Sequence, residues 1–252
     1  MTKHAASMST YFRTGLDPRR LDIFKKSITS LLESGYPSKV NICDDGSDEK
    51  HHLEFATNLN DNRIVIHERI ENGGYSKIKN LGINAILSDG NDFGFLIDDD
   101  VGFKKDWWEQ YVRAYEWTKI GHFCFIDYDV NAKRVGIRGA GELVYSGGYV
   151  VRNISGMYQG GMMTFDRKLI EDIGYFRIFP RKLGHEHSAW TTKMIARQAI
   201  PFPADVINSN EFLYYIDADE PISTRPADFW DQANENMRTF NDRMDINEPC
   251  IT

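Results

Sequence analysis

The sequence lacks the segments that membrane-spanning and secreted proteins need. Across its 252 residues, no uninterrupted apolar segment reaches about 18 residues, so no membrane span is expected. The N-terminal residues contain no apolar core, so no secretory signal is expected. Cysteine is scarce: Cys43, Cys124 and Cys250 are scattered, odd in number and without metal-site spacing. This cysteine usage favours a reducing compartment, and we expect a cytoplasmic protein.

An excess of basic residues is also absent. The chain has 30 Lys and Arg against 37 Asp and Glu, which gives a formal net charge of −7. This balance argues against an extended nucleic-acid-binding face and against an anionic membrane surface as the main partner. A nucleotide ligand is not excluded, because a metal ion can neutralise its phosphates locally.

Strand and helix signals alternate along the first half of the chain. Apolar runs predict strands at 8–13, 40–43, 63–67 and 93–97. Helical signals begin at Asp17-Pro18, where an N-cap precedes a proline, and again at Ser76. This alternation predicts an α/β fold with a mostly parallel central sheet flanked by helices.

The second half is less regular. It predicts helices at 107–120, 167–173 and 187–197, strands at 123–126 and 162–165, and a small antiparallel hairpin or meander at 136–151. Of Trp107, Trp108 and Trp190, we expect at least two to be core residues rather than sugar-stacking platforms. No repeat, low-complexity tract or linker divides the chain, so one domain is expected.

The most informative stretch is 95–101, where an apolar run ends in Asp98, Asp99 and Asp100. Clustered carboxylates repel one another unless a cation or hydrogen-bond donors compensate them. A divalent metal at the carboxyl edge of a sheet is one explanation, and an acidic turn is the other. Because side chains alternate along a strand, Asp98 and Asp100 are expected to face the same side.

Several short motifs follow one another in a familiar order: Asp44–Ser47, Gly74 through Asn80–Gly82, Leu96–Asp100, Gly160–Gly161, Ile173–Phe176 and Gly184–Glu186. Together they resemble the GT-A glycosyltransferases, in particular the inverting enzymes of family 2, over roughly residues 9–197. The resemblance implies a GT-A, Rossmann-like fold and a single domain over 1–252, with a nucleotide-binding half at 1–100 and an acceptor and catalytic half at 101–252.

The resemblance assigns a donor-binding role to residues of the first half. It implies that Asp44 and Asp45 accept hydrogen bonds from the base or ribose of a sugar nucleotide, the alternative being an Asx-type turn. Arg13 is expected to pair with the diphosphate or with Asp44, the alternative being a surface arginine. Lys79 is expected to contact the diphosphate or to support the carboxylates, the alternative being a solvated helix face.

Two glycines and the acidic stretch complete the expected donor site. Gly74 belongs to this set, and Gly161 is expected to let the backbone approach the donor sugar. By resemblance, Asp98 contacts ribose or metal-bound water, Asp100 binds Mn²⁺ or Mg²⁺ directly, and Asp99 supports the loop.

The expected catalytic base is Glu186, which would deprotonate the acceptor hydroxyl. This segment departs from the Gly-Glu-Asp pattern of the family, because His185 replaces the usual acid. His185 or His187 could therefore be the base or a metal ligand, and a surface turn is the plain alternative. Asp217 could take the place of a downstream metal-binding histidine.

These assignments predict a metal-dependent, inverting glycosyltransferase of the hexosyl or N-acetylhexosaminyl class that uses a nucleotide-diphosphate sugar, most plausibly a UDP-sugar. The acceptor could be a glycan, a lipid, a protein or a modified nucleobase. A nucleotidyltransferase that forms a sugar nucleotide is the second hypothesis, although residues 14–20 hold one glycine instead of a glycine-rich loop. The third is a non-catalytic nucleotide-sugar-binding or carbohydrate-binding protein of the same fold.

Overall fold

A computed structural model of the chain describes residues 2–127, 142–154, 160–218 and 228–240. In chain order, its elements are β1 (His4–Thr10), α1 (Arg19–Glu33), β2 (Val40–Asp44), α2 (His51–Asn58), β3 (Ile64–Glu68), α3 (Tyr75–Ser88), β4 (Phe93–Asp98), β5 (Val101–Phe103), α4 (Trp107–Thr118), β6 (Glu142–Ser146), β7 (Tyr149–Asn153), β8 (Met162–Asp166), α5 (Arg167–Ile173), α6 (Glu186–Ala196), β9 (Ala204–Val206), a 3₁₀ turn (Ser209–Glu211), β10 (Leu213–Tyr215) and α7 (Phe229–Phe240).

The central sheet has five strands in the order β3-β2-β1-β4-β8. The first four strands run parallel, and β8 pairs with β4 in the antiparallel sense. Strands β6, β7 and β9 form a smaller antiparallel sheet, and β5 pairs with β10. This arrangement confirms the predicted α/β class, with a mostly parallel central sheet and a small antiparallel sheet in the second half.

The register of β1 brings two acidic turns together. Thr10 at the end of β1 pairs with Asp44 of β2, and the neighbouring Ser9 pairs with Asp98 of β4. Because all three strands are parallel, their carboxyl ends meet at one edge of the sheet, where open α/β folds bind their ligands.

The core extends across both halves of the chain. Trp107 is fully buried, Trp190 is nearly so, and Trp108 packs against the same apolar cluster, which confirms the core prediction for at least two of them. In the described part of the chain, no helix combines the length and apolar character that crossing a membrane requires. The division into a 1–100 half and a 101–252 half stays a prediction.

The structure corrects several predicted boundaries. The first strand covers His4–Thr10 rather than 8–13, because Ala5 and Ala6 are small and fully buried while the chain turns after Thr10. Segment 123–126 makes only isolated bridges. Helix α2 and the short strand β5 were not predicted. Residues 136–141 of the predicted hairpin, and Cys250, lie outside the described residues.

Candidate active site

A cavity of about 420 Å³ lies at the carboxyl edge of the central sheet. One wall comes from the ends of β1, β2 and β4, and the other comes from the start of α3, residues 182–183 and helix α7. It is lined by Ser9, Thr10, Tyr11, Arg13, Leu16, Arg20, Asp45, Asn72, Gly74, Tyr75, Ile78, Asp98, Asp99, Asp100, Lys182, Leu183 and Gln232.

All three consecutive carboxylates line this cavity, although the geometry differs from the prediction. Strand β4 ends at Asp98, and Asp99 and Asp100 form the turn that leads into β5. The alternation argument for Asp98 and Asp100 is therefore wrong, because the extended backbone that it requires stops at Asp98. The turn, rather than the strand, brings the carboxylates to the cavity.

Each carboxylate of this turn has different partners. Asp98 Oδ1 accepts hydrogen bonds from Lys79 Nζ at 2.6 Å and from the Tyr75 hydroxyl at 3.0 Å. Asp99 forms an ion pair with Arg20 of helix α1. Asp100 Oδ1 is buried and has no hydrogen-bond partner among the described residues. Burial raises the pKa of Asp100 to about 7, and the neighbouring carboxylates act in the same direction.

Lys79 stands behind the cavity rather than on a solvated helix face. Its side chain is fully buried, and Nζ donates to the Ile97 carbonyl at 3.1 Å as well as to Asp98. The surface alternative for Lys79 is therefore wrong. Of its two expected contacts, the structure contains the one with the carboxylates.

Asp44 lies beneath the cavity, and its oxygens are occupied by internal donors. The fully buried carboxylate accepts hydrogen bonds from Ser47 N at 3.0 Å, Lys50 Nζ at 2.7 Å and His52 Nε2 at 3.0 Å. Burial opposes ionisation, but the hydrogen bonds outweigh it, so the pKa of Asp44 lies well below its usual value. Asp44 therefore organises the turn after β2.

Asp45 reaches the cavity and at the same time organises the start of α3. Its two oxygens accept hydrogen bonds from Gly73 N at 2.9 Å and Gly74 N at 2.8 Å. Gly74 has φ of +88°, and a Cβ at this position would come within 2.7 Å of the Lys182 carbonyl oxygen. A side chain at Gly74 would therefore be strained and would push residues 182–183 away from the sheet.

The other two expected donor-binding residues lie in different surroundings. Arg13 is exposed at the rim of the cavity. Gly161 is buried, its carbonyl accepts a hydrogen bond from Asp98 N at 2.7 Å, and the Tyr215 ring lies against its α-carbon. Gly161 thus helps to fix Asp98 rather than lining the cavity itself.

Glu186 is the first residue of α6 and is 5% exposed. Its Oε1 is buried without a hydrogen-bond partner among the described residues. Burial raises the pKa of Glu186 to about 7; the backbone N–H groups of Glu186 and Gly184 lower it in part, and the charge of Asp98 raises it. The Glu186 carboxyl group is therefore close enough to Asp98 for the Asp98 charge to raise its pKa.

The two neighbouring histidines have different surroundings. His187 Nδ1 lies 3.2 Å from the Met163 sulfur, its ring packs edge-on against Tyr75, and burial lowers the pKa of His187 to about 4. His185 adopts φ of +74° at the N-cap of α6, and its Nε2 is buried without a partner among the described residues. Burial lowers the pKa of His185 as well.

The sequence matches one family over two thirds of its length. Residues 19–186 match the family described as Glycosyl transferase family 2. An uncharacterized glycosyltransferase from Acanthamoeba polyphaga mimivirus is 32% identical over 211 residues, which cover 84% of this chain and 80% of that protein. The chain belongs to glycosyl transferase family 2. The predicted enzyme class, a glycosyltransferase, is thereby confirmed.

Solved structures with low sequence identity show the same fold. TarS residues 1–349 from S. aureus, in complex with UDP, superposes with a TM-score of 0.60 at 14% identity, over 84% of this chain and 60% of that one. The mannosyltransferase PcManGT from Pyrobaculum calidifontis, in complex with GDP-Man and Mn²⁺, superposes with a TM-score of 0.56 at 17% identity. The match covers 77% of this chain and 52% of that one. The glycosyltransferase chain thus spans little more than half of these structures, and the predicted GT-A fold is confirmed.

The residues that line the cavity of this glycosyltransferase without having been predicted from the sequence include Tyr11, Arg20, Tyr75 and Gln232. Tyr75 precedes Lys79 by four residues on α3, so one helical face brings both to Asp98. That spacing was a usable signal. Arg20 and Gln232 come from helices that contact the site only through the tertiary fold, and nothing in their local sequence distinguishes them.

The acidic turn of the glycosyltransferase offers carboxylate oxygens, which are the ligands that a divalent cation prefers. In the described part of the chain, no three His, Cys, Asp or Glu side chains are grouped to hold a metal ion. Mg²⁺ commonly takes one or two carboxylates and completes its shell with water and substrate phosphates. The unpartnered Asp100 Oδ1 and the adjacent Asp98 supply such a pair. The residues present therefore fit a cation bound together with a diphosphate.

Proposed function

We propose that this chain transfers a sugar from a nucleotide-diphosphate sugar to an acceptor hydroxyl, with inversion and with the help of a divalent metal. The proposal is supported chiefly by two buried carboxylate oxygens without a hydrogen-bond partner among the described residues, each on a group that the charge of Asp98 affects. One belongs to Asp100 in the acidic turn, and the other belongs to Glu186 at the start of α6. Uncompensated buried carboxylates are costly, and a cation and an acceptor hydroxyl would satisfy them.

The proposed donor is a UDP-sugar of the hexosyl or N-acetylhexosaminyl class. Structures of TarS contain UDP and UDP-GlcNAc, whereas the mannosyltransferase structure contains GDP-Man. The uridine nucleotides bound to TarS support the choice of UDP. The cavity residues Tyr11, Arg13 and Asp45 lie at the end of β1 and β2, where the base and ribose would bind.

Asp98 and Asp100 would hold Mn²⁺ or Mg²⁺. The charge of Asp217 acts on Asp100, but among the described residues the three carboxylates are not grouped as a metal site, so Asp217 is not included as a ligand. When bound, the cation neutralises the diphosphate and stabilises the charge that develops on the leaving nucleotide. Lys79 and Tyr75 orient Asp98 through the hydrogen bonds described above. Arg20 holds Asp99 in the same turn, which agrees with the supporting role expected for Asp99.

Glu186 is the proposed general base. Its unpartnered oxygen accepts the proton of the acceptor hydroxyl as that hydroxyl attacks the anomeric carbon from the face opposite the nucleotide. A pKa of about 7 suits this role, because the carboxylate is both available and basic near neutral pH. His187 is the weaker candidate, because packing against Tyr75 and Met163 occupies its ring and a pKa of about 4 makes it a poor base.

We propose that residues 1–252 act as one GT-A unit in a reducing compartment such as the cytoplasm. Cys43 and Cys124 are buried free thiols, which supports that location. The candidate acceptors are a glycan, a lipid, a protein and a modified nucleobase.

The test compares donor turnover by the wild type and by Asp98→Ala and Asp100→Ala. Purified protein is incubated with Mn²⁺ and a panel of nucleotide sugars, and release of the nucleotide diphosphate is measured. Both variants are expected to lose turnover, while circular dichroism shows the fold retained. Asp22→Ala, at an exposed position of α1, is the matched control and is expected to behave as the wild type. Undiminished turnover in both variants would rule out the metal-dependent mechanism.

A further inference from the structure

The last described helix, α7, is hydrogen-bonded to the segment that precedes Glu186. The family match ends at residue 186, so α7 lies beyond the residues by which the family is recognised. We propose that Asn236 of α7 is a positioning residue for Glu186, because it fixes the turn from which the proposed base projects. This inference rests on the proposed function.

Asn236 is fully buried, and its side-chain amide is surrounded by backbone groups of one segment. Its Nδ2 donates towards the carbonyl oxygens of Arg181 at 3.1 Å, Leu183 at 3.1 Å and Gly184 at 2.9 Å. Its Oδ1 accepts a hydrogen bond from Arg181 N at 3.1 Å. One side chain therefore satisfies both donors and acceptors of residues 181–184, which are otherwise in irregular structure and need partners.

The turn that Asn236 fixes has an unusual backbone. Gly184 has φ of +94° and His185 has φ of +74°, so two successive residues adopt left-handed conformations directly before Glu186. For a histidine this conformation is uncommon and is held only where the surroundings determine it. Helix α7 supplies those surroundings: a Cβ on Gly184 would come within 2.5 Å of the Ala233 Cβ, and the Phe240 ring lies 5.4 Å from that of His185.

The same helix face also reaches the donor cavity. Gln232 lines the cavity and precedes Asn236 by four residues, which places both on one side of α7. The exposed ion pair between Arg181 and Glu235, at 2.5 Å, adds a further contact between the helix and the segment. Loss of the Asn236 amide would free the 181–185 backbone to relax from its left-handed turn, and Glu186 would move with it.

The test uses Asn236→Asp, which keeps the shape of the side chain and replaces the amide donors with a carboxylate oxygen. That oxygen would face carbonyl oxygens, which repel it. Asn236→Ala removes the donors without adding charge and serves as the second variant. Asn234→Asp is the matched control, because it makes the same change at an exposed position of the same helix. Hydrolysis of the UDP-sugar found in the donor panel is measured well below each unfolding midpoint, and binding of UDP with Mn²⁺ is measured by calorimetry.

We expect both Asn236 variants to lower kcat by about 10- to 100-fold, as a displaced catalytic group does, and to change UDP affinity by less than about threefold. The nucleotide is held by Asp45 and Asp98, which lie on other elements. Asn234→Asp should match the wild type in both measurements.

Three results would distinguish a failure of the inference about Asn236 from a failure of the proposed function. A kcat within about twofold of the wild type, with or without a lower unfolding temperature, would show that Asn236 serves only stability and would overturn the inference. An equal loss of kcat and UDP affinity would also overturn it, because the helix would then act on the donor. Normal turnover by Glu186→Gln would instead contradict the proposed function.

Discussion

Two turns, one after β2 and one before α6, each bury a carboxylate. The two carboxylates differ in their hydrogen-bond partners and in the direction of their pKa shifts. In the turn after β2, Asp44 accepts hydrogen bonds from Ser47, Lys50 and His52, and its pKa lies well below the usual value. In the turn before α6, Glu186 leaves Oε1 without a partner in the described part of the chain, and burial raises its pKa to about 7.

The contrast between Asp44 and Glu186 distinguishes a carboxylate with a structural role from one that is available for a reaction. A carboxylate whose oxygens are all occupied stabilises the fold but has none left for a substrate. A carboxylate that is buried and incompletely bonded costs stability, but it is available to take a proton. Burial alone does not distinguish the two turns, whereas the hydrogen-bond partners do.

The largest expected effect comes from removing the available carboxylate. Glu186→Gln should lower kcat for sugar transfer or donor hydrolysis by about 10²- to 10⁴-fold, since the amide cannot accept the acceptor proton. Donor affinity should stay close to that of the wild type. Glu171→Gln, at an exposed position of α5, is the control. A kcat unchanged in Glu186→Gln would place the base elsewhere.

The next largest effect is expected from replacing Asp44, the carboxylate whose oxygens are occupied by internal hydrogen bonds. Asp44→Asn should lower the free energy of unfolding by about 3 kcal/mol, because it removes the negative charge that Lys50 and the buried His52 share and replaces one acceptor oxygen with an amide that donates. Urea unfolding at neutral pH measures the change. Asp48→Asn, an exposed position in the same turn, should differ from the wild type by less than about 0.5 kcal/mol. Equal stabilities of the two variants would remove the distinction between the turns.

The two turns should also respond to pH in opposite directions. The folded-state pKa of Asp44 is lowered, so its stabilising contribution is present above the usual carboxyl pKa and is lost as pH falls. The folded-state pKa of Glu186 is raised from 4.5 to about 7, so its protonated form favours folding, and that contribution is lost as pH rises through this range. Thermal unfolding at about pH 8 should therefore find Glu186→Gln more stable than the wild type.

Activity supplies the second half of the pH test. Below about pH 7, kcat should fall about tenfold per unit, because Glu186 becomes protonated and cannot act as the base. The charged group that acts on Glu186 is Asp98, and the Tyr75 hydroxyl, which donates a hydrogen bond to Asp98, is affected by the charges of both. A rate that stays flat from about pH 5.5 to about pH 7 would contradict the assignment.

The smallest effect is expected from removing the Tyr75 hydroxyl, which contacts Asp98 from helix α3. Tyr75→Phe removes the hydrogen bond to Asp98 Oδ1 and keeps the ring against His187. Lys79 still holds Asp98, so donor affinity should fall by only about fivefold. Titration with UDP and Mn²⁺ measures the change. A loss as large as that in Asp98→Ala would show that Tyr75 itself contacts the donor.

The sequence predicted the fold class and the acidic edge, because both depend on local patterns. Apolar runs of strand length and the turn residues after them survive into the structure at β2 and β4. It placed β1 too far along the chain, since Ala5 and Ala6 carry little apolar signal even though both are fully buried. It also missed α2, whose eight residues contain two histidines and few apolar positions.

The sequence does not show which partners surround a site residue where long-range contacts decide them. Asp44 and Asp45 are adjacent and chemically identical, but their partners differ. Lys50 and His52 are among those of Asp44, and Gly73 and Gly74 are among those of Asp45. The hydrogen bonds of Asn236 join positions more than 50 residues apart. No local pattern encodes such contacts.

The place of Asn236 in the chain also sets an order of assembly during synthesis. It follows Glu186 by 50 residues, which the ribosome needs about 3–10 s to add. Throughout that interval the nascent chain already contains the acidic turn, but the segment before α6 has no helix to hold it. The acidic turn is therefore made before the helix that completes the opposite wall of the cavity. On the proposed role of Asn236, the position of Glu186 is fixed only after α7 has been made.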